Sequence, residues 1–268
     1  MKRHSVLAFT KTQITEFERD GYVIVRGLFN REEIDIVNHV VNADPSIAAA
    51  IYGRHDQSGS TTELALWRDL GDDVFAGIAR SARIVDSLES VLEGDINFFH
   101  AKLTLKRPKV GGAWEWHQDY GYWYRNGFLF PYMASVFIAL DPATRENGCL
   151  QLIKGSHRMG RIEHGTVAGQ VGADSIYVKQ ALERLPLVHC EMEPGDALFF
   201  HCNTLHSSAA NSSEHSRNAL LCCYNRSDNP SFLSSPDNRT TVIDKLADDG
   251  LAVYLDKPID AQRTFATA

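Results

Sequence analysis

Apolar and polar residues alternate along Phe99-His100-Ala101-Lys102-Leu103-Thr104-Leu105-Lys106. A strand there places His100, Lys102, Thr104 and Lys106 on one face and Phe99, Ala101, Leu103 and Leu105 on the other. Taken alone, this alternation predicts a half-exposed strand with its polar face in water. Further strands are predicted over 135–140, 149–153, 196–202 and 218–225, separated by the turn signals Asn147-Gly148 and Pro194-Gly195-Asp196. Upstream the period changes. Thr15 is placed to cap a short helix over 16–19 that Gly21 ends, and a strand follows at 22–25. Asn30, with Glu33 in the capping-box position, starts a longer helix carrying Ile34, Val37 and Val41 on one face until Pro45. Residues 48–59 read as a loop near the site entrance, and helical patterns resume over 64–70 and 74–92. Many short strands preceded by helices predict a mainly β chain. The expected fold is a jelly-roll or cupin-like double-stranded β-helix barrel, with N-terminal helices, roughly residues 1–95, bracing one sheet.

With 268 residues, 44% of them hydrophobic, and no low-complexity tract, the whole of 1–268 is expected to form one domain. A net charge of -7 with scattered Lys and Arg excludes a nucleic-acid surface and points to a small-molecule substrate. The apolar stretch before Lys11 is too brief for a secretory signal, and no segment is long enough to span a bilayer. Five cysteines form no even framework, and the adjacent Cys222 and Cys223 point to opposite faces of a strand. They read as reduced core residues of a cytoplasmic protein, expected to be a monomer or homodimer without membrane partners.

The chemistry centres on Trp116-His117-Gln118-Asp119, where a His and an Asp two apart on an extended segment point the same way. As a third ligand His206 is favoured over its rival His201, which lies within the predicted strand and reads as a packed or supporting residue. Two imidazoles and a carboxylate on one face of an octahedral metal leave the other face open, as non-haem Fe(II) oxygenases require. Arg217, before the apolar run that starts at Ala219, is shaped to clamp a carboxylate.

These motifs, with Phe17-Glu18-Arg19-Asp20-Gly21-Tyr22, Glu146-Asn147-Gly148-Cys149-Leu150 and Gly155-Ser156-His157, occur in an order that covers most of the chain. The chain resembles the phytanoyl-CoA dioxygenase-like branch of the Fe(II)/2-oxoglutarate oxygenases. The resemblance implies the jelly-roll fold, iron on His117, Asp119 and His206, the distal carboxylate of 2-oxoglutarate on Arg217 assisted by Ser208, and Lys102 and Phe137 lining the cosubstrate site. It turns the polar face of the 99–106 strand inward. It also implies O2 as cosubstrate and hydroxylation of an unactivated C–H with release of succinate and CO2. The carboxylate of Asp119 favours hydroxylation over halogenation. Desaturation, cyclisation or epoxidation by the same triad stays open, as does a metal-binding or ligand-binding barrel without turnover, which has no need of Arg217. Tyr120, Tyr122, Trp123 and Tyr124 are divided between packing and pocket lining, whereas Trp114 and Trp116 are assigned to packing. The stretch 160–175 reads as a loop that could close over substrate, and Arg125, Arg161 and Arg226 as arginines available to an anion.

Overall fold

The computed structural model describes residues 8–56, 58–167 and 170–266. The N-terminal stretch read for a signal falls largely outside them. In chain order the elements are α1 (Lys11–Asp20), β1 (Tyr22–Val25), α2 (Arg31–Ala43), α3 (Pro45–Ala50), β2 (Tyr52–His55), β3 (Thr61–Trp67), α4 (Val74–Arg80), α5 (Ala82–Leu92) and the long β4 (Ile96–Lys106). There follow β5 (Trp114–His117), α6 (Asp119–Trp123), β6 (Met133–Ala139), β7 (Leu150–Ile153), β8 (His164–Val167), β9 (Gln170–Ala173) and α7 (Ser175–Arg184). The chain continues through β10 (Leu187–His189), β11 (Ala197–His201), β12 (His206–Ser208), β13 (Arg217–Arg226), β14 (Thr241–Val242) and α8 (Leu251–Leu255).

An eight-stranded antiparallel sheet runs β1-β11-β6-β13-β4-β3-β2, with β14 also on β4, and a four-stranded sheet runs β10-β7-β12-β5. The central strands of the large sheet are buried on both faces. Ala101, Leu103 and Leu105 of β4 join Leu220 and Cys222 of β13, Val136 and Ile138 of β6 and the apolar faces of α1, α2, α4 and α5 in one core. Leu221 and Cys223 join Phe137, Leu198 and Phe200, and meet Leu150 and Leu152 of the small sheet, in a second. Cys222 and Cys223 thus face opposite cores, and all five cysteines are free and buried. Full burial of a Val, Ile or Leu side chain is worth about 1.5 to 3 kcal/mol, so the alternation along β13 alone fixes its register firmly.

Several sequence expectations are corrected. Thr10, not Thr15, caps α1 in a capping box with Gln13. The earlier start brings Ile14 to the helix face that Phe17 buries, against the preceding Phe9, while Thr15 merely bonds back to the Lys11 carbonyl at 3.0 Å. Asn30 and Glu33 cap α2 as expected, but Pro45 opens α3 instead of closing the region, because proline suits the first helical position and Asp44 caps it. The expected loop over 48–59 therefore contains the end of α3 and strand β2. Residues 64–70, expected to be helical, lie mostly in β3, a strand whose Leu64 and Leu66 face the inter-sheet space while Ala65 and Trp67 lie buried behind. An apolar run covered on both faces carries no period that separates strand from helix. The helix over 74–92 is two helices broken at Ser81, which caps the second. The segment before residue 95 thus supplies sheet strands as well as bracing helices. On β4 a bulge between the β13 partners Cys223 and Tyr224 shifts the register, so Phe98 pairs with Tyr224 in the helix-side core and Phe99 turns to the inter-sheet core. Phe99 therefore does not share the face of Ala101. Among the described residues no helix is long and apolar enough to cross a membrane.

Candidate metal centre and its chamber

Antiparallel pairing of β5 with β12 sets His117 directly opposite His206, with ring centroids 4.1 Å apart. Gln118 is extended (φ -111, ψ 136), so Asp119 returns to the side of His117 even though it is already the first residue of α6, not part of a continuing strand. Each imidazole Nε2 lies 3.8 Å from Asp119 Oδ1, and the three ligand atoms fall within 4.8 Å of one another. This spacing and donor set can hold one metal ion. The tautomers are fixed from behind: His117 Nδ1 donates to the Glu115 carbonyl at 2.7 Å and His206 Nδ1 to the Thr204 carbonyl at 3.0 Å. Both Nε2 lone pairs are thereby left for the metal. Ser135 Oγ donates to Asp119 Oδ2 at 2.6 Å, which turns Oδ1 inward. Burial, followed by the neighbouring His206, holds His117 well below the usual imidazole range, and burial also lowers His206. Neutral imidazoles are the ligating form.

His201 sits on the other side of its sheet. Its β6 partner Ala134 belongs to the helix-side core, its ring lies against Phe17 and His157, and its Nδ1 accepts from the Asn203 amide at 3.0 Å. Strand parity therefore removes it from the metal centre. His164, which no motif singles out, accepts the Gln118 amide at 2.9 Å through Nε2 while its Nδ1 donates to the Ile162 carbonyl. The buried Gln118 side chain binds the Gly160 and Asn203 carbonyls and the Ile162 amide. These bonds lock the turn between His117 and Asp119. A Cβ on Gly121 would stand 2.3 Å from the His164 ring. Gly121→Ala is expected to lower stability by about 1 to 3 kcal/mol through overpacking. It should weaken metal binding roughly tenfold by tilting Asp119. Thermal unfolding and an Fe(II) titration check the two effects, and unchanged metal affinity would disconnect His164 from the ligand geometry.

From the centre a narrow slot lined by Thr104, Phe137 and Leu221 runs to Arg217. Arg217 is only 1% exposed; among the described residues its guanidinium donates from Nη1 to Thr104 Oγ1 at 3.3 Å, and Nε and Nη2 have no partner. The Phe137 ring lies 5.4 Å from the guanidinium carbon. Lys106, opposite Arg217 in the β4–β13 register, is fully buried, and its Nζ donates to Ser208 Oγ at 2.8 Å and to the Ala209 carbonyl. Ser208 thus turns to Lys106 rather than to Arg217. Gly148, at φ 78, allows the Ala209 carbonyl to approach within 2.2 Å of where a Cβ would stand, a spacing only glycine permits. Burial, and then the Arg217 charge, push Lys106 down to about 6, and burial lowers Arg217 to about 10. The free guanidinium donors of Arg217 at the end of the slot, with Lys106 beside it in the β4–β13 register, are suited to a carboxylate. Lys106 was missed because a lysine alternating with apolar residues looks the same on a solvated strand.

Lys102, 5.3 Å over the Trp114 ring, lines both the slot and a wider chamber of about 410 Å³ beside His117 and Asp119. Trp114 is therefore a wall of the site, against its assignment to packing; Trp116 packs as expected under α7. Tyr122 and Trp123 also face the chamber, whereas Tyr120 is buried with its hydroxyl on the Phe128 carbonyl and Tyr124 is exposed under Arg161. Arg125 and Arg161 pair with Glu163, and Arg226 with Asp228, all away from the chamber, where Arg54 and Arg68 stand instead. The expected closing loop is the β8–β9 ribbon, whose Gln170 and Val171 line the chamber; Gln170 is tied to the His55 and Ala113 carbonyls.

Residues 17–219 match the family model for phytanoyl-CoA dioxygenase (PhyH). The chain belongs to the phytanoyl-CoA dioxygenase family. It is 30% identical over 226 residues to L-proline trans-4-hydroxylase of Streptomyces griseoviridis, covering 76% of this chain and 79% of that protein. EctD from S. alaskensis, crystallised with 2-oxoglutarate and 5-hydroxyectoine, superposes with a TM-score of 0.74 at 21% identity over 92% of this chain and 90% of its own. The 2-oxoglutarate-dependent carbocyclase SnoK from nogalamycin biosynthesis gives a TM-score of 0.66 at 17% identity over 97% of both chains. These likenesses establish the cupin-like jelly-roll fold, and family membership makes the chain a 2-oxoglutarate-dependent non-haem iron dioxygenase.

Proposed function

We propose that His117, Asp119 and His206 hold Fe(II), that Arg217 and Lys106 receive the distal carboxylate of 2-oxoglutarate, and that the enzyme hydroxylates an unactivated C–H of a small molecule in the adjoining chamber. The observation that carries this reading is the buried guanidinium of Arg217, with two unpartnered nitrogens, at the end of a slot that opens on the triad. Bound iron with 2-oxoglutarate and O2 supplies the oxidising equivalent, with succinate and CO2 released. The chain's own residues do the positioning. Ser135 keeps one Asp119 oxygen turned to the metal, the Glu115 and Thr204 carbonyls keep both Nε2 atoms deprotonated, and Phe137 and Thr104 orient Arg217. Tyr122 and Trp123 present aromatic walls to the chamber beside His117 and Asp119. With a metal bound, Asp119 would supply a carboxylate ligand where a halogenating site would need room for halide, which favours hydroxylation. Product mass separates this outcome from desaturation, cyclisation or epoxidation, and succinate formation dependent on 2-oxoglutarate tests the whole proposal. We further take residues 1–268 as one catalytic domain, monomeric or homodimeric, acting in the cytoplasm on a small molecule without membrane or nucleic-acid partners; the net charge of -7 supports the last point.

Lys106 gives the proposal a pH signature. In the ligand-free protein its ammonium loses its proton near pH 6, and a carboxylate bound beside it raises that value. Between the two values binding takes up a proton, so 2-oxoglutarate affinity falls as pH rises above about 6, by up to about tenfold per unit. Lys106→Met should bind more weakly at pH 6 and lose this dependence. Anaerobic 2-oxoglutarate titrations of both proteins from pH 6 to 8 check it; parallel pH curves would dissociate Lys106 from the cosubstrate.

A further inference from the structure

The strand that carries His117 is the edge of its sheet. β5 pairs with β12 on one side, and alongside its other edge packs the β8–β9 ribbon, which shares no backbone ladder with either sheet among the described residues. One buried side chain joins the two. Gln170, the first residue of β9, donates through Nε2 to the His55 and Ala113 carbonyls, both at 3.0 Å, and accepts the Glu115 amide at 3.1 Å through Oε1. Its amide stands along β5 where a neighbouring strand would, with both donor hydrogens and the acceptor engaged. The same Glu115 holds the metal ligand: its carbonyl accepts His117 Nδ1 at 2.7 Å. Val171, next on β9, accepts the Tyr122 hydroxyl at 2.6 Å, and the Tyr122 ring meets the His117 ring edge-on with centroids 5.7 Å apart. Two consecutive residues of the ribbon therefore reach one imidazole by two routes, and both also line the chamber.

We propose that Gln170 is a positioning residue for the metal centre, fixing the direction of His117 Nε2 through the backbone of Glu115. This rests on the proposed function for the metal and goes beyond it by making the ribbon part of the ligand geometry. The orientation of a ligating imidazole follows the hydrogen bond at its other nitrogen, so His117 turns with the Glu115 carbonyl. Without Gln170 the Glu115 amide and the Ala113 and His55 carbonyls lose a partner, and β5, four residues long, keeps β12 alone beside it. Tyr122 restrains the ring by contact only, since its hydroxyl is spent on Val171. A wall of the chamber is thus mechanically continuous with one metal ligand. A glutamine that merely fastened the ribbon would matter for stability and leave the ligand direction alone.

Co(II) tests this on the full-length protein, because its visible absorption reports the arrangement of the ligands without turnover. The dissociation constant and the absorption band are measured for the wild type, Gln170→Leu and Gln170→Asn, alongside thermal unfolding of the metal-free proteins. Leucine keeps the bulk and removes every hydrogen bond; asparagine keeps the amide but withdraws it by one carbon. Gln170→Leu is expected to weaken Co(II) binding roughly tenfold and to shift the band, as loss of a group that orients a ligand does. Gln170→Asn should change both in the same direction by a smaller factor, and it carries the test if Gln170→Leu does not fold. His201→Ala is the control for stability: it loses packing against Phe17 and His157 and should keep wild-type affinity and band at a lowered melting temperature. Weaker binding or a shifted band in a folded Gln170 variant, with His201→Ala unaffected, supports the proposal. Wild-type affinity and an unchanged band in the Gln170 variants overturn it alone, as does a His201→Ala variant that weakens Co(II) binding as much. A wild type that binds no Co(II), or binds it equally in His206→Ala, overturns the metal reading and this proposal with it.

Discussion

His206→Ala is expected to abolish 2-oxoglutarate turnover, by on the order of a thousandfold or more, because the metal supplies several kcal/mol of transition-state stabilisation that two ligands cannot hold in place. The fold should survive, since His206 is one side chain of a three-residue strand whose backbone bonds to β5 and β7 remain. Metal binding is then readable through stability. At free Fe(II) a hundredfold above its dissociation constant, the wild type gains about 2.7 kcal/mol against unfolding, a shift of roughly 5 to 10 °C in a protein of this size. His206→Ala should lose that shift. His201→Ala is the matched control: it removes packing against Phe17 and His157 and lowers the melting temperature, but it keeps the metal-induced shift and the turnover. Retained turnover in His206→Ala together with its loss in His201→Ala would reverse the assignment of the third ligand.

The contrast between these two histidines shows how far the sequence reaches. Five residues apart at the end of one apolar run, they differ in what their strands face, and only the pairing of β12 with β5 and of β11 with β6 decides that. The His-x-Asp pair was legible because its geometry is local, as was the capping box at Asn30 and Glu33. Strands β4, β6, β11 and β13 were legible because turn residues bracket them. β3 was not, because both of its faces are covered and no polar residue breaks its apolar run. Lys106, Gln118 and His164 were missed for a related reason. Their roles depend on a carbonyl or amide brought from elsewhere in the chain, and no spacing encodes that. Arg54 and Arg68 fell in segments expected to be loop and helix. Only as neighbouring strands do β2 and β3 turn them toward one chamber.

Arg217 links stability and function in opposite directions. A guanidinium that is 1% exposed, with two nitrogens lacking partners among the described residues and no carboxylate beside it there, carries a desolvation penalty that the Thr104 bond and the Phe137 ring offset only in part. Arg217→Met, which keeps the apolar stem over Phe137 and removes the charge, is expected to leave the ligand-free protein as stable as the wild type or more stable, by about 1 to 3 kcal/mol. The same change should raise the 2-oxoglutarate dissociation constant roughly tenfold to a hundredfold, since a charge-assisted bidentate contact is worth about 1.5 to 3 kcal/mol. Fe(II) affinity should barely move, because the guanidinium is not among the metal-binding atoms. Arg217→Lys should recover only part of the cosubstrate affinity, as a point charge does not reproduce the planar fork. Thermal unfolding without ligand, paired with an anaerobic titration that follows the metal-to-ligand absorption of the 2-oxoglutarate complex, measures both halves. A structural arginine gives the opposite pattern, a destabilised ligand-free protein with unchanged cosubstrate binding, and that result would remove Arg217 from the site.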